Sequence, residues 1–146
     1  MTYGPMLAPV VALVAWTLVI QIWMYATRLP AMRRKGIELK GRRGGRGGQL
    51  DGVLEDEVQW KAHNYNHLLE QPTLFYAIAI TLAVSGGGHR WSLWLAWGYV
   101  GLRVLHSLIQ ATSNVVRWRF LVFSLASVLL LALTVHAGLN MMHVYG

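Results

Sequence analysis

Two stretches of this chain carry polar and mostly ionisable side chains inside segments that are otherwise apolar enough to cross a bilayer. The first set recurs at i, i+4 and i+7 and the second at i, i+3 and i+7, so each set shares one helix face. The sets are His63, His67 and Glu70, and Arg103, His106 and Gln110. A charge in hydrocarbon costs at least about 2.5–3.5 kcal/mol on insertion scales, so such groups face one another or a hydrated cavity. The pattern predicts a polar site between two helices.

The composition agrees with a membrane protein. Hydrophobic residues make up 55% of the 146 residues and charged residues only 13%, against roughly 25% charged residues in soluble domains. Cysteine is absent, which excludes a disulfide framework, a thiolate metal site and a cysteine nucleophile. Any thiol chemistry must therefore use a thiol that a substrate brings.

Four segments have the length and apolar character of spanning helices, which need about 20 such residues. We expect one all-α membrane domain over residues 1–146, a four-helix bundle. Its predicted helices cover about residues 6–29, 52–84, 91–113 and 117–142. A flexible basic loop over residues 30–51 joins the first two helices.

The basic residues predict the orientation. Seven of the thirteen Lys and Arg residues lie between Arg33 and Arg46, and the third loop adds Arg117. Cytoplasmic loops are enriched in such residues, so loops one and three should be cytoplasmic and both termini outside. A glycine- and arginine-rich loop tethered to a membrane indicates contact with anionic lipid. The bilayer is therefore the expected partner of this loop, and nucleic acid is not.

Depths along the helices predict which polar groups meet. At 1.5 Å per residue, Glu70 and Arg103 both lie about 15 Å from the cytoplasmic ends of their helices. Opposite charges at equal depth on adjacent antiparallel helices predict an ion pair. The same count places His67 at the depth of His106. It also places His63 at the depth of Gln110 and Asn114.

Two simpler interpretations remain open for these residues. A structural ion pair between Glu70 and Arg103 would join two helices, but it leaves the polar residues that continue to the cytoplasmic end unexplained. His63, His67 and Glu70 also have a spacing that metal ligands use. The cation of Arg103 would repel a metal ion, so we expect no metal.

Two motifs in these helices resemble the MAPEG family, the membrane-associated proteins in eicosanoid and glutathione metabolism. Residues 61–76 read KAHNYNHLLEQPTLFY, similar to the bacterial branch, and residues 99–107 read YVGLRVLHS, similar to the family's R-x-x-H-S segment. The resemblance implies a homotrimer of four-helix protomers in a bacterial inner membrane. It also implies that glutathione binds between subunits near the cytoplasmic face and that lipophilic substrates arrive from the bilayer.

The resemblance also implies roles for individual residues. Arg119 matches the arginine near the glutathione sulfur, where a guanidinium favours the nucleophilic thiolate. The remaining expected glutathione-binding residues are Arg28, His63, His67, Glu70, Arg103, His106, Gln110 and Asn114. His67 stands where many members have asparagine, and Gln110 and Phe123 stand where mammalian synthases carry tyrosines, which argues against an eicosanoid synthase.

The expected function is that of a glutathione-dependent transferase or peroxidase acting on lipophilic electrophiles or lipid hydroperoxides. Two alternatives remain. One is a non-catalytic membrane binding or scaffold protein, and the other is a small transporter, because polar groups in membranes also line solute pathways.

Overall fold

The computed structural model describes residues 4–41 and 43–145, and every regular element in this part of the chain is helical. Helix α1 covers Gly4–Arg34 and is followed by a short 3-10 turn at Gly47–Leu50. Helices α2 (Asp56–Leu68) and α3 (Gln71–Val84) follow one another almost without a gap. Helices α4 (Arg90–Thr112) and α5 (Val116–Tyr145) complete the bundle. The predicted all-helical fold with four helical segments is confirmed, with α2 and α3 forming one segment.

The helix boundaries differ from the predicted ones mainly around the first loop. Helix α1 continues to Arg34 rather than ending near residue 29, and α2 begins at Asp56 rather than near residue 52. Asp56 and Glu57 lie in the first turn of α2, where acids complement the positive end of the helix dipole. The connection between these helices therefore covers residues 35–55 instead of 30–51, so it is shifted along the chain and has almost the predicted length.

A break divides the second helical segment at Leu69 and Glu70. Glu70 has φ −88° and ψ −99°, outside the helical region, and Pro72 lies at the start of α3. Proline has no N–H, so it cannot donate to the carbonyl four residues earlier, and its ring clashes with that carbonyl. Proline is tolerated in a first helical turn. The sequence prediction of one uninterrupted helix over residues 52–84 was wrong for this reason.

In the part of the chain that the structure describes, three helical stretches are long and apolar enough to cross a membrane, namely Pro5–Arg34, Asp56–Val84 and Val116–Val144. Helix α4 is less apolar because its inward face is polar. Arg103, His106 and Gln110 on that face are buried, whereas Trp94 is 72% exposed on the outer face. A polar interior and an apolar surface suit a bundle whose solvent is lipid.

Helix α4 contacts α1, α2 and α5 and carries most of the polar contacts of the interior. Tyr99 stacks on Phe75 of α3 with ring centroids 4.5 Å apart, and its hydroxyl donates to Oε1 of Gln71 at 3.3 Å. The amide of Gln71 donates to the hydroxyl of Ser127 on α5 at 2.8 Å. These hydrogen bonds between side chains therefore link α3, α4 and α5 just after the break.

Asn64 connects α2 to α4 on the other side of the break. It is fully buried, and its Nδ2 donates to the hydroxyl of Ser107 at 2.7 Å and to the carbonyl of Ser107 at 3.2 Å. Side-chain hydrogen bonds between membrane helices average about 0.6 kcal/mol and reach about 1.7 kcal/mol. This contact fixes the rotation of α2 relative to α4.

We expect Asn64→Ala and Ser107→Ala to be coupled by about 0.6–1.7 kcal/mol in a double-mutant cycle. Unfolding in mixed micelles measures this free energy. Thr112 is the matched control because its exposed hydroxyl bonds only the carbonyl of Leu108 within α4. Coupling between Asn64→Ala and Ser107→Ala no larger than that between Asn64→Ala and Thr112→Ala would contradict the prediction.

Candidate functional site

The guanidinium of Arg103 is the centre of the candidate site. Arg103 is fully buried, and its Nη2 donates to Nδ1 of His67 at 3.0 Å and to the carbonyl of His67 at 2.8 Å. The carbonyl is free to accept because α2 ends at Leu68, and the last carbonyls of a helix have no intrahelical donor. The break before Pro72 therefore supplies an acceptor for a buried cation.

The contact with Arg103 fixes the state of His67. Arginine can only donate, so Nδ1 of His67 must accept, and the imidazole is neutral with its proton on Nε2. The His67 ring stacks on that of His106 with centroids 4.8 Å apart and meets Phe123 edge-on at 5.3 Å. The predicted meeting of His67 with His106 agrees with this geometry.

These rings form the wall of a small cavity between α2, α4 and α5. The cavity has a volume of about 220 Å³, and its lining residues are His67, His106, Val116, Arg119, Phe120 and Phe123. The lining combines aromatic surface with one permanent cation. It therefore suits a ligand that has both an apolar part and an anionic part.

Arg119 reaches this cavity from the first turn of α5. The side chain is half-buried, and its Nη1 donates to Oδ1 of Asn114 at 2.6 Å. Asn114 lies in the turn between α4 and α5 with φ 50°, a left-handed conformation that asparagine tolerates. Its backbone N–H donates to the carbonyl of Ile109 at 2.7 Å and closes the end of α4. The turn thus holds Arg119 in place through the same residue that ends the helix.

Glu70 is not where the sequence analysis expected it. It is exposed, and no ion pair within 4 Å joins it to Arg103 in the described part of the chain. The helical spacing that aligned Glu70 with His67 fails because Glu70 lies in the break itself. Its carbonyl accepts from the hydroxyl of Thr73 at 2.7 Å, a contact within the first turn of α3.

A second group of polar residues lies where the first loop meets α1 and α2. Nη2 of Arg28 donates to the carbonyl of Gly47 at 2.5 Å. Oδ1 of Asp51 accepts from Nε2 of Gln59 at 2.5 Å and contacts Nε2 of His63 at 2.9 Å. Among the described residues, this contact of Asp51 with His63 is the one between an acidic and a basic side chain within ion-pair distance, and it is an ion pair when the imidazole is protonated.

Hydrogen bonds lower the pKa of Asp51. The Gln59 amide has the largest effect, and the contact with His63 adds to it. A second cavity of about 250 Å³ opens beside this carboxylate, and its lining residues are Asp51, Gly52, Asp56, Gln59, Trp60, His63 and Asn114. Asn114 lines this cavity while its bonded partner Arg119 lines the other. The hydrogen bond between Arg119 and Asn114 therefore lies between the two cavities.

The structure divides the predicted site residues into two neighbouring groups. The inner group around the stacked rings contains His67, Arg103, His106 and Arg119, whereas Arg28 and His63 belong to the loop group. Asn114 joins the two groups. Gln110 is buried on the same face of α4, and no described residue bonds its Oε1. The predicted grouping around one Glu70–Arg103 pair was wrong, and the groups are arranged around Arg103–His67 and Asp51–His63 instead.

Sequence reasoning missed two residues of the loop group, Asp51 and Gln59. Gln59 precedes His63 by four residues and His67 by eight, so the helical spacing contained the signal for it. Asp51 contacts His63 only because the loop folds back onto α2, and no periodicity predicts that path. In the described residues, no three or more His, Cys, Asp or Glu side chains are grouped so that they could hold a metal ion.

Several donors and acceptors in the site have no hydrogen-bond partner among the described residues. They are buried atoms on the guanidinium groups and on two side chains of α4, namely Nε of Arg28, Arg103 and Arg119, Nη1 of Arg103, Nδ1 of His106 and Oε1 of Gln110. Buried polar groups are normally bonded. Guanidinium donors of this kind bind carboxylates and other anions well.

Comparison with models of protein families agrees with the two motifs at residues 61–76 and 99–107. The model of the MAPEG family matches residues 6–139, nearly the whole chain. The matched range contains the break and all the site residues described above. Comparison with curated proteins and with solved structures finds no match. Together with three helical stretches long and apolar enough to span a bilayer, the match indicates an integral membrane protein, and the chain belongs to the MAPEG family.

Proposed function

We propose that the protein is a glutathione-dependent membrane transferase or peroxidase that acts on lipophilic electrophiles or lipid hydroperoxides. The family contains glutathione-dependent enzymes and also members without catalytic activity. The observation that carries the proposal is the half-buried guanidinium of Arg119. It borders an aromatic cavity, and its buried Nε has no partner among the described residues.

The residues of the site fit glutathione by their chemistry. The tripeptide has two carboxylates, one ammonium group and one thiol. Arg28 and Arg103 offer buried N–H donors without a partner in the described chain, and guanidinium groups bind carboxylates with two parallel hydrogen bonds. The exposed carboxylate of Glu70 is the matching group for the ammonium.

Arg119 is the residue we assign to thiol activation. Glutathione would supply a thiolate sulfur that attacks an electrophilic carbon or a peroxide oxygen. A permanent cation beside the sulfur favours the thiolate over the thiol. Asn114 accepts from only one nitrogen of the guanidinium, so the remaining donors are free to face the ligand.

The size of the cavities supports assembly of the site from two protomers. Their volumes are about 220 and 250 Å³, each below the roughly 300–1,000 Å³ of typical ligand pockets. Glu70 lies outside both cavities and is exposed on the protomer. A homotrimer, in which Glu70 faces the arginines of a neighbouring copy, would complete the site. Loops one and three would lie on the cytoplasmic side, because they carry most of the basic residues.

One observation favours a non-catalytic family member as the second candidate. Phe123 lines the cavity beside His67. By the resemblance described above, the mammalian synthases of the family carry a tyrosine at this position. A phenyl ring cannot donate a hydrogen bond to a thiolate. If Arg119 cannot compensate for that missing hydroxyl, the protein binds a ligand without turning it over.

We expect Arg119→Ala to lower kcat for glutathione conjugation of an aryl halide by about 10²-fold or more, because one preorganised donor to a developing anion has this effect. The dissociation constant for glutathione, measured by calorimetry, should stay close to that of the unmodified protein. The ultraviolet absorbance of the bound thiolate should fall.

Arg117→Ala is the matched control, because the exposed Arg117 lies over the ring of Trp118 and does not line the cavity. Its turnover and thiolate absorbance should be unchanged. Turnover of Arg119→Ala at the unmodified rate would remove Arg119 from the mechanism. Glutathione binding by the unmodified protein without turnover of any electrophile or hydroperoxide would favour the non-catalytic candidate.

A second prediction concerns the acceptor that holds Arg103. His67→Asn keeps an oxygen near the position of Nδ1, so its free energy of unfolding should stay within about 1 kcal/mol of the unmodified protein. His67→Leu removes the acceptor and should cost about 1.5–3 kcal/mol, since the lost hydrogen bond involves a charged group. Unfolding in mixed micelles tests both variants. Equal stability of the two variants would show that the side-chain contact does not hold Arg103.

A further inference from the structure

A third cavity lies at the C-terminal end of α1, away from the candidate site. We call it the α1-end cleft. Its volume is about 470 Å³, and its lining residues are Leu29, Met32, Arg33, Gly36, Ile37, Glu38, Leu39 and Lys40. One wall is the last turns of α1 and the other is the segment 36–40 that follows the helix. None of these residues takes part in the site proposed for glutathione.

The cleft exists because the chain reverses direction at Gly36. Gly36 has φ 67°, its N–H donates to the carbonyl of Arg33 at 3.1 Å, and the N–H of Ile37 donates to the carbonyl of Met32 at 2.9 Å. This pattern is a Schellman motif, which ends helices at a glycine in the left-handed conformation. Ile37 then packs against a small buried cluster that includes Met32 and Leu54. The second wall of the cleft is thus anchored to the bundle.

The lining of the cleft is apolar with cations in excess. Arg33 and Lys40 are exposed cations in the lining, against the single carboxylate of Glu38. The apolar side chains are also accessible, since Leu29 is 40% exposed and Leu39 is 64% exposed. An accessible surface of this kind suits an amphiphile with a negatively charged head.

The position of the cleft along α1 matches the level of lipid headgroups. Trp23 and Tyr25 are aromatic residues of the type that lies at membrane–water interfaces. Leu29 follows Tyr25 by four residues, or about 6 Å along the helix. Arg28 is the first charged residue of α1. The cleft therefore begins at the end of α1 where charged residues follow the long apolar run.

We propose that the α1-end cleft binds one anionic phospholipid. The planar guanidinium of Arg33 donates hydrogen bonds to the lipid phosphate, and the ammonium group of Lys40 contacts the phosphate as a single point charge. The first part of an acyl chain lies against Leu29 and Leu39. Cations near an anionic membrane surface contribute about fivefold in affinity each. Two cations in the lining of one cleft therefore select a lipid with net negative charge over a zwitterionic one.

The test is a lipid titration of the detergent-purified full chain, with bound lipid counted by native mass spectrometry. The probes are phosphatidylglycerol, phosphatidylcholine and inorganic phosphate. We expect one tightly bound phosphatidylglycerol, with phosphatidylcholine and inorganic phosphate much weaker. Inorganic phosphate that competes at equal concentration would identify a free-anion site and overturn the proposal.

The double variant Arg33→Gln/Lys40→Gln should lower the affinity for phosphatidylglycerol by about 25-fold. The double variant Arg34→Gln/Lys35→Gln is the matched control, since it removes the same charge from adjacent exposed residues outside the cleft lining. Equal losses in the two variants would mean diffuse attraction and overturn the proposal.

Leu39→Ser tests the acyl contact without changing charge. The variant should weaken binding of long-chain phosphatidylglycerol and leave binding of its water-soluble short-chain form unchanged. Unchanged binding of the long-chain lipid would remove the acyl chain from the cleft and overturn the proposal. Leu39 is largely exposed, so this substitution leaves the buried cluster beneath it intact.

Discussion

The contact between Arg103 and His67 is the constraint on which the rest of the interior depends. A guanidinium buried among helices must be bonded, because an unpaired buried charge is costly. The helix break before Pro72 offers the carbonyl of His67, and the imidazole of the same residue offers Nδ1. Both acceptors come from one residue of α2, so the depth and rotation of α2 against α4 follow from the position of one cation. Asn64 and Ser107 fix the same pair of helices at a second point.

The arrangement is polar inside and apolar outside because lipid replaces water around the bundle. Leucine and tryptophan side chains on the outer faces of α4 and α5 are exposed, whereas the polar residues of α4 are buried. In lipid the helices gain little from burying apolar surface, so close packing and interhelical hydrogen bonds carry more of their association. The polar residues that form the candidate site are thus also residues that hold the helices together. Substitutions in this site must therefore be compared with matched variants that separate chemistry from folding.

The sequence predicted part of the site, and the failures have physical reasons. Helical rise matched His67 with His106 because α4 is uninterrupted and α2 is regular up to Leu68. The same count failed for Glu70, three residues further on, because the chain leaves the helix there. Pro72 was visible in the sequence, but a proline alone does not predict a break, since α1 continues through Pro30 as one helix. The contacts of Asp51 with His63 and of Arg28 with Gly47 were not foreseeable, because they depend on the path of a loop without periodicity.

The small size of the two cavities and the exposure of Glu70 both fit the proposed site shared between protomers. The protomer supplies several buried guanidinium donors but leaves the carboxylate of Glu70 on its surface. The break that directs the carbonyl of His67 toward Arg103 also displaces Glu70 from the interior face. One local feature therefore produces a cation-rich interior and an outward carboxylate in the same protomer. In an assembly of identical copies, these complementary surfaces can meet across an interface, and the ligand would then lie between subunits rather than within one.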